Sequence, residues 1–408
     1  MIINTSPSYQ LSTGREQTLG RTSPLRETSN VGGAKIKNLK GESDAARETC
    51  FLLRPCIIKG YRMTSTAIHG NPDAVSADAS NVRAEFEALI SGCGIYDLSG
   101  RAKIALSGGD RVRWLNGMVT NNIRDLAQGH GVYAFLLNPQ GHILGDLYAY
   151  NRADSLMVDT DQTQLEKLLA TFDHYIIMDD VEIANVSDKI TAIGIAGPKL
   201  REVLGAAGFE ITELQTLQFV DLTWQNVAVT LVRGDNSMVE GYELWLPPDR
   251  VTALRDALMK AGATAAGTTT LELLRIAAGI PRYGQDIRER DLPQETEQQR
   301  ALNFSKGCYI GQEIVERIRS RGNVHRKFTG FEVHGTLPAV GAKIQADGRD
   351  IGEITSVASL PLAGGERPVA LGYIRREIAT PGKQFQLGDA QLSIAALPFA
   401  EIFQGENL

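Results

Sequence analysis

The chain has 408 residues, 43% of them hydrophobic and 22% charged, enough for roughly two to three domains with their own cores. A net charge of −6 argues against a protein built wholly around nucleic acid, and no apolar run approaches the roughly 18 residues of a membrane span. Four cysteines, Cys50, Cys56, Cys93 and Cys308, form no CxxC pair, which points away from a disulfide framework or a zinc site and toward a reducing compartment.

Residues 1–62 carry ten Lys/Arg against five Asp/Glu, a net of +5 that leaves −11 for the rest. They are rich in Ser, Thr, Gly and Asn without sustained periodicity, and Arg54-Pro55 breaks their only apolar run. Residues 1–63 read as a disordered extension or an over-long start, with the body beginning near Met63. The alternative, a targeting peptide, is opposed by the acidic residues. From Asn81, Val82, Phe86, Leu89 and Ile90 make one helical stripe that ends at Gly92. Strands follow at Lys103–Leu106, Tyr133–Leu137 and His142–Tyr150, the last two joined by Asn138-Pro139-Gln140-Gly141, a sequence with type I turn chemistry. Ser155–Val158 is a strand leading to a helix with Leu165, Leu168, Leu169 and Phe172 on one face. Strands at Ile190–Ala196, Val227–Val232 and Tyr242–Leu246 alternate with helices at Pro198–Ala207, Asp249–Lys260 and Thr270–Ala278.

This order of elements predicts α+β layers rather than a doubly wound parallel sheet. After His325 the pattern becomes short and β-rich (Phe328–Val333, Ile351–Ala358, Pro368–Tyr373, Leu392–Leu397), as in a small all-β barrel or sandwich. The expected division is therefore 64–322 for a bipartite α+β region of two interleaved lobes and 323–408 for a C-terminal β-barrel.

Lys306-Gly307-Cys308-Tyr309-Ile310-Gly311-Gln312-Glu313 is the densest motif. Cys308 stands just ahead of a helix read over Ile310–Ser320, where unpaired N–H groups and Lys306 would both favour a thiolate. Gly307 and Gly311 would let the backbone approach a ligand. The competing reading is a small buried residue at a helix entry. Downstream, Arg317, Arg319, Arg321, Arg326 and Lys327 form either an anion-binding rim or a solvated helix face.

The motif resembles the signature of the folate-binding YgfZ family, relatives of the glycine-cleavage T protein. The resemblance extends over Asn81–Phe399 through Gly94–Ser99, Thr120-Asn121-Asn122, Gly141–Asp146, Leu274-Arg275-Ile276, Gly279–Gly284, Leu292–Glu295 and Leu397-Pro398-Phe399. It implies a three-domain clover-leaf around a funnel that holds tetrahydrofolate, with Tyr133, Asp146, Glu243, Arg275 and Tyr283 as folate contacts. It also implies a thiol site of Cys308, Lys306, Gln312 and Glu313, and no metal ligand. The implied role is accessory to iron–sulfur cluster assembly or repair in client enzymes, including tRNA-modifying ones, by a cytoplasmic monomer (in an organelle if the extension targets it) with weak or no direct nucleic-acid binding. The alternative is a folate-dependent aminomethyltransferase or demethylase. Against that alternative stand three departures from the transferase pattern: Gly145 in place of the first of two aspartates, Val239 in place of an acid, and Ala277 in place of a glutamate.

Overall fold

The computed structural model describes residues 75–322 and 324–403. The N-terminal extension, with Cys50 and Cys56, lies outside the described residues. The helix expected from Asn81 starts earlier, as α1 (Val75–Ser91).

The elements then run β1 (Gly94–Asp97), β2 (Arg101–Ser107), α2 (Arg111–Met118), β3 (Gly131–Leu137), β4 (Ile143–Asn151), β5 (Leu156–Asp161), α3 (Leu165–Tyr175) and β6 (Glu182–Asn185). Next come β7 (Thr191–Ala196), α4 (Leu200–Ala206), β8 (Phe219–Trp224), β9 (Val227–Arg233), β10 (Gly241–Leu246), α5 (Val251–Lys260), β11 (Thr264–Ala265), α6 (Thr268–Ala277) and α7 (Gln312–Arg321). The last part is all strand: β12 (Arg326–His334), β13 (Lys343–Ala346), β14 (Arg349–Leu362), β15 (Gly365–Arg375), β16 (Gln384–Leu387) and β17 (Ala390–Ala395).

Three sheets result. The first, antiparallel, has the order β3-β4-β5-β2-β6, and the second β11-β1-β7-β10-β9-β8. Because β1 belongs to the second sheet and precedes the whole of the first, the chain crosses between the two at the outset. The third sheet, β13-β14-β15-β12-β17-β16, is wholly antiparallel, and its end strands β13 and β16 lie against each other, so it is a nearly closed barrel. The fold is the α+β, barrel-terminated one expected.

Period-2 alternation decides what each sheet buries. The first turns Ile104, Leu136, Leu147 and Val158 toward Trp114 of α2 and Leu168 and Phe172 of α3. The second turns Ile193, Ile195, Leu231 and Leu244 toward α4 and α5. Each fully buried aliphatic or aromatic side chain there contributes about 1.5–3 kcal/mol. The opposite faces of these two sheets meet each other through Tyr150, Met157, Phe219, Val232 and Trp245. α1 and α6 join the body to the barrel, packing Phe86, Leu274 and Ile276 against Leu371, Tyr373 and Phe399.

Candidate functional site

The layer between the first two sheets is aromatic and charged. Across the first sheet, Tyr133 on β3, Tyr148 on β4, Asp159 on β5 and Lys103 on β2 stand in direct cross-strand register. Asp146, two residues before Tyr148, shares their face. Across the second sheet, Tyr96, Gly194 and Glu243 are in register. The Tyr96 ring lies over Gly194 in the space a Cβ would take.

Hydrogen bonds fix these groups. The Tyr133 hydroxyl donates to Asp146 Oδ2 at 2.7 Å, and Gln164 Nε2 donates to Oδ1 at 2.7 Å. The Tyr133 and Tyr148 rings are 5.0 Å apart. The Arg300 guanidinium lies 4.4 Å over Tyr133 and pairs with Asp235, which also accepts from the Tyr148 hydroxyl at 3.2 Å. Tyr283 donates to the Leu144 carbonyl and accepts from Lys167 at 3.0 Å. On the facing sheet the Trp245 indole donates to Glu243 Oε2 at 2.7 Å, while Oε1 has no protein partner among the described residues.

Burial pushes Glu243 above the ordinary carboxylate range; Asp159 adds to this and Lys103 and Arg101 oppose it. The Tyr148 phenol is raised by burial, with Arg300 and Arg101 opposing and both Asp146 and Glu243 adding. Beside the Arg300–Asp235 pair a cavity of about 510 Å³ opens toward the barrel, lined by Ile280, Lys327, Phe328 and Leu397.

Tyr133, Asp146 and Tyr283 thus come together, with Glu243 facing them from the other sheet. Arg275 does not join them. Its five N–H donors go to Glu272 (twice), Asp286, Ser356 and the Ile280 carbonyl, so no donor remains for a ligand. It ties α6 to the barrel.

The 306–313 loop also departs from expectation. The Lys306 ammonium is buried and points away from the thiol, donating to the carbonyls of Asn116, Val119 and Asn121 at 2.5–2.6 Å. Burial, with Arg124 adding, lowers its pKa to about 7. Tyr309 is buried with Tyr133 and Phe135, whereas Cys308 is exposed and does not line the cavity. Lys306 therefore anchors the loop rather than activating Cys308. Gln312 accepts from the Tyr309 N–H at 3.3 Å, and Glu313 is exposed in the first turn of α7. Gly311, at φ +81°, has its Cβ position 2.6 Å from the Asn138 carbonyl, so it admits the β3–β4 turn, not a ligand. Of the basic cluster, Arg326 is spent on Asp291 and Glu295, and Arg319 on Glu316 and the Phe304 ring.

Comparison with known proteins matches residues 59–306 to the GCVT N-terminal domain. The chain belongs to this family. It is similar to the aminomethyltransferase of Caldanaerobacter subterraneus, at 27% identity over 77% of this chain and 85% of that protein. A putative chloroplastic transferase of Arabidopsis thaliana is 23% identical over 78% of this chain and 73% of its own length. The crystal structure of the glycine cleavage system aminomethyltransferase T from Bartonella henselae has the same fold, with a TM-score of 0.70 and 23% identity over 78% of this chain and 89% of that one.

For a member of the GCVT family, the three departures take on a physical meaning. A side chain at Gly145 would meet Gln164 and Leu168 on the helix-facing side of the sheet, so the position does not face the layer. The aspartate that does, Asp146, is present. Val239 and Ala277 are buried in the core joining body to barrel. None of the three removes a group from the layer.

Sequence reasoning missed Tyr148, Arg300, Asp235, Asp159 and Lys103. Tyr148 was findable, since it follows Asp146 by two residues in one strand. The Arg300–Asp235 pair joins a short 3-10 turn to a loop and leaves no periodic trace.

Proposed function

We propose that the layer between the first and second sheets binds tetrahydrofolate, and that the protein serves folate-dependent one-carbon transfer of the aminomethyltransferase type. The observation that carries this reading is the convergence of Tyr133, Asp146, Tyr148 and Tyr283 on one side with Glu243 on the other. A reduced pterin needs flat aromatic walls and a carboxylate for its amino-pyrimidine edge. Tyr133 and Tyr148 supply the walls, and the unpartnered Oε1 of Glu243 supplies an acceptor. When bound, the folate would supply the nitrogens that accept a one-carbon unit. Asp146, pinned by Tyr133 and Gln164, would accept from and orient an incoming amine. The aminomethyltransferases among the relatives favour this reading over the accessory one. The test is a methylene-transfer assay with purified protein, tetrahydrofolate and an aminomethyl donor. Transfer that falls at least a hundredfold in Asp146→Asn supports the reading, and wild-type protein without folate-dependent transfer removes it.

A second reading, support of iron–sulfur clusters in client enzymes including tRNA-modifying ones, is favoured by one observation. Cys308 stands exposed on a loop held from within by Lys306 and Tyr309, where a partner protein could reach it. Under this reading Cys308→Ala abolishes rescue of iron–sulfur enzyme activities in a deletion strain while folate binding persists. Full rescue by that variant would exclude a role for the thiol.

A further inference from the structure

Asp159 is the direct cross-strand neighbour of Tyr148 in the proposed folate site, is fully buried and accepts from two cations. Lys103 Nζ donates to Oδ1 at 2.8 Å, and Arg101 Nη2 donates to Oδ2 at 2.9 Å with Nε bridging both oxygens at 3.2–3.3 Å. Asp159 and Lys103 are 1% and 0% exposed. A buried ion cluster is seldom the cheapest way to brace two sheets, since apolar side chains of similar volume do so without the desolvation penalty. What the cluster supplies here is position.

Two arms leave it. Lys103 sits 4.6 Å over the Trp245 ring, and the Trp245 indole N–H in turn holds Glu243 Oε2. Tyr150 packs edge-on against Trp245 at 5.1 Å, so the indole is fixed from both sides. The other arm is Arg101, whose guanidinium lies 5.6 Å over the Tyr148 ring. The arms end on the two sides of the layer, one at the facing carboxylate and one at the aromatic wall.

We propose that Asp159 is a positioning residue: by holding Lys103 under Trp245 and Arg101 over Tyr148, it sets the separation and orientation of Glu243 and Tyr148 that a flat, amino-pyrimidine-bearing ligand requires. This rests on the folate reading of the layer for the identity of the ligand, while the mechanical coupling is independent of it. The charged and titratable groups facing Glu243 are Asp159, Lys103, Arg101, Tyr96, Tyr148 and Tyr150, so loss of one negative charge from this set has a defined sign.

The experiment uses the full chain with two readouts. The first is tetrahydrofolate affinity by calorimetry. The second, which needs no folate, is the pH midpoint of Trp245 emission, taken as the difference from Trp245→Phe; it follows Glu243 protonation because the indole donates to that carboxylate. Asp159→Asn keeps the shape and removes the charge. It is expected to weaken folate binding at least tenfold in the wild-type background and by less than twofold in a Glu243→Gln/Tyr148→Phe background. It is also expected to move the emission midpoint to lower pH by roughly one unit, because a like charge is removed. Should Asp159→Asn fail to fold, Trp245→Phe cuts one arm while keeping every charged residue, and is expected to weaken folate binding several-fold in protein that remains folded. If wild-type protein does not bind folate but Asp159→Asn still shifts the midpoint, the ligand assignment falls and the coupling of Asp159 to Glu243 stands. Unchanged affinity with an unchanged midpoint in Asp159→Asn, or equal losses in both backgrounds, would overturn the proposal.

Discussion

The layer between the sheets and the 306–313 loop make opposite uses of conspicuous residues. In the layer, ordinary strand positions scattered from residue 96 to residue 243, joined by Tyr283 from the segment after α6, turn their side chains into one space. In the loop, eight adjacent residues that look like a compact site mostly face apart: Lys306 and Tyr309 point inward as anchors, Gly311 yields to a neighbouring turn, and only Cys308 and Glu313 look outward with Gly307. A dense motif therefore records backbone constraint as readily as chemistry. A site assembled from strands is written in period-2 alternation spread across the chain.

This contrast is open to attack by substitution, and the largest effects are expected where a conspicuous residue is structural. Arg275→Met leaves the buried Asp286 without its cation and should cost about 3–5 kcal/mol in urea unfolding. A merely local folate contact would instead leave stability nearly unchanged. Lys306→Met abandons three carbonyls in the interior and should cost about 2–4 kcal/mol by the same measurement. Stability near wild type would mean that the carbonyl cage is not the anchor.

In the layer, the effect should fall on ligand rather than fold. Glu243→Gln is expected to weaken tetrahydrofolate binding roughly tenfold to a hundredfold, the worth of a hydrogen bond to a charged group. The pH dependence has a definite sign. Because the folded-state pKa of Glu243 lies above its ordinary value of 4.5, the folded chain keeps this proton after the unfolded chain has lost it. Its contribution to stability is complete below 4.5 and is lost as pH rises through the raised value. Folate binding, which needs the carboxylate, should tighten over the same interval. Both trends should vanish in Glu243→Gln, and their persistence would assign them to another group. The smallest effect belongs to Cys308→Ala, expected within about 0.5 kcal/mol of wild type and with folate affinity unchanged, because the side chain is exposed.

Much of the architecture was legible because apolar periodicity is strong in the long elements: the stripe of α3 and the four long barrel strands stand where the pattern places them. Short strands carried too little pattern. β1 has four residues and lies inside the second sheet, yet Gly94-Ile95-Tyr96-Asp97 reads only as a motif; β6, β13 and β16 are equally brief. In the site, Tyr133, Asp146, Tyr283 and Glu243 were readable by resemblance. The error on Arg275 arose because a guanidinium in an apolar helix demands partners, and sequence does not say whether these are protein or ligand. Here Asp286, Glu272 and Ser356 answer the demand from eleven residues downstream, three residues upstream and the barrel. The weight placed on Gly145 was undone by strand alternation, which turns residue 145 toward α3 and residue 146 toward the layer.

The most direct test is titration of tetrahydrofolate into wild-type protein and Glu243→Gln side by side at neutral pH. Saturable binding to the wild type that weakens at least tenfold in the variant, with both proteins equally folded, is the predicted result. No binding to the wild type, or equal affinity for both, would contradict a folate site between the two sheets.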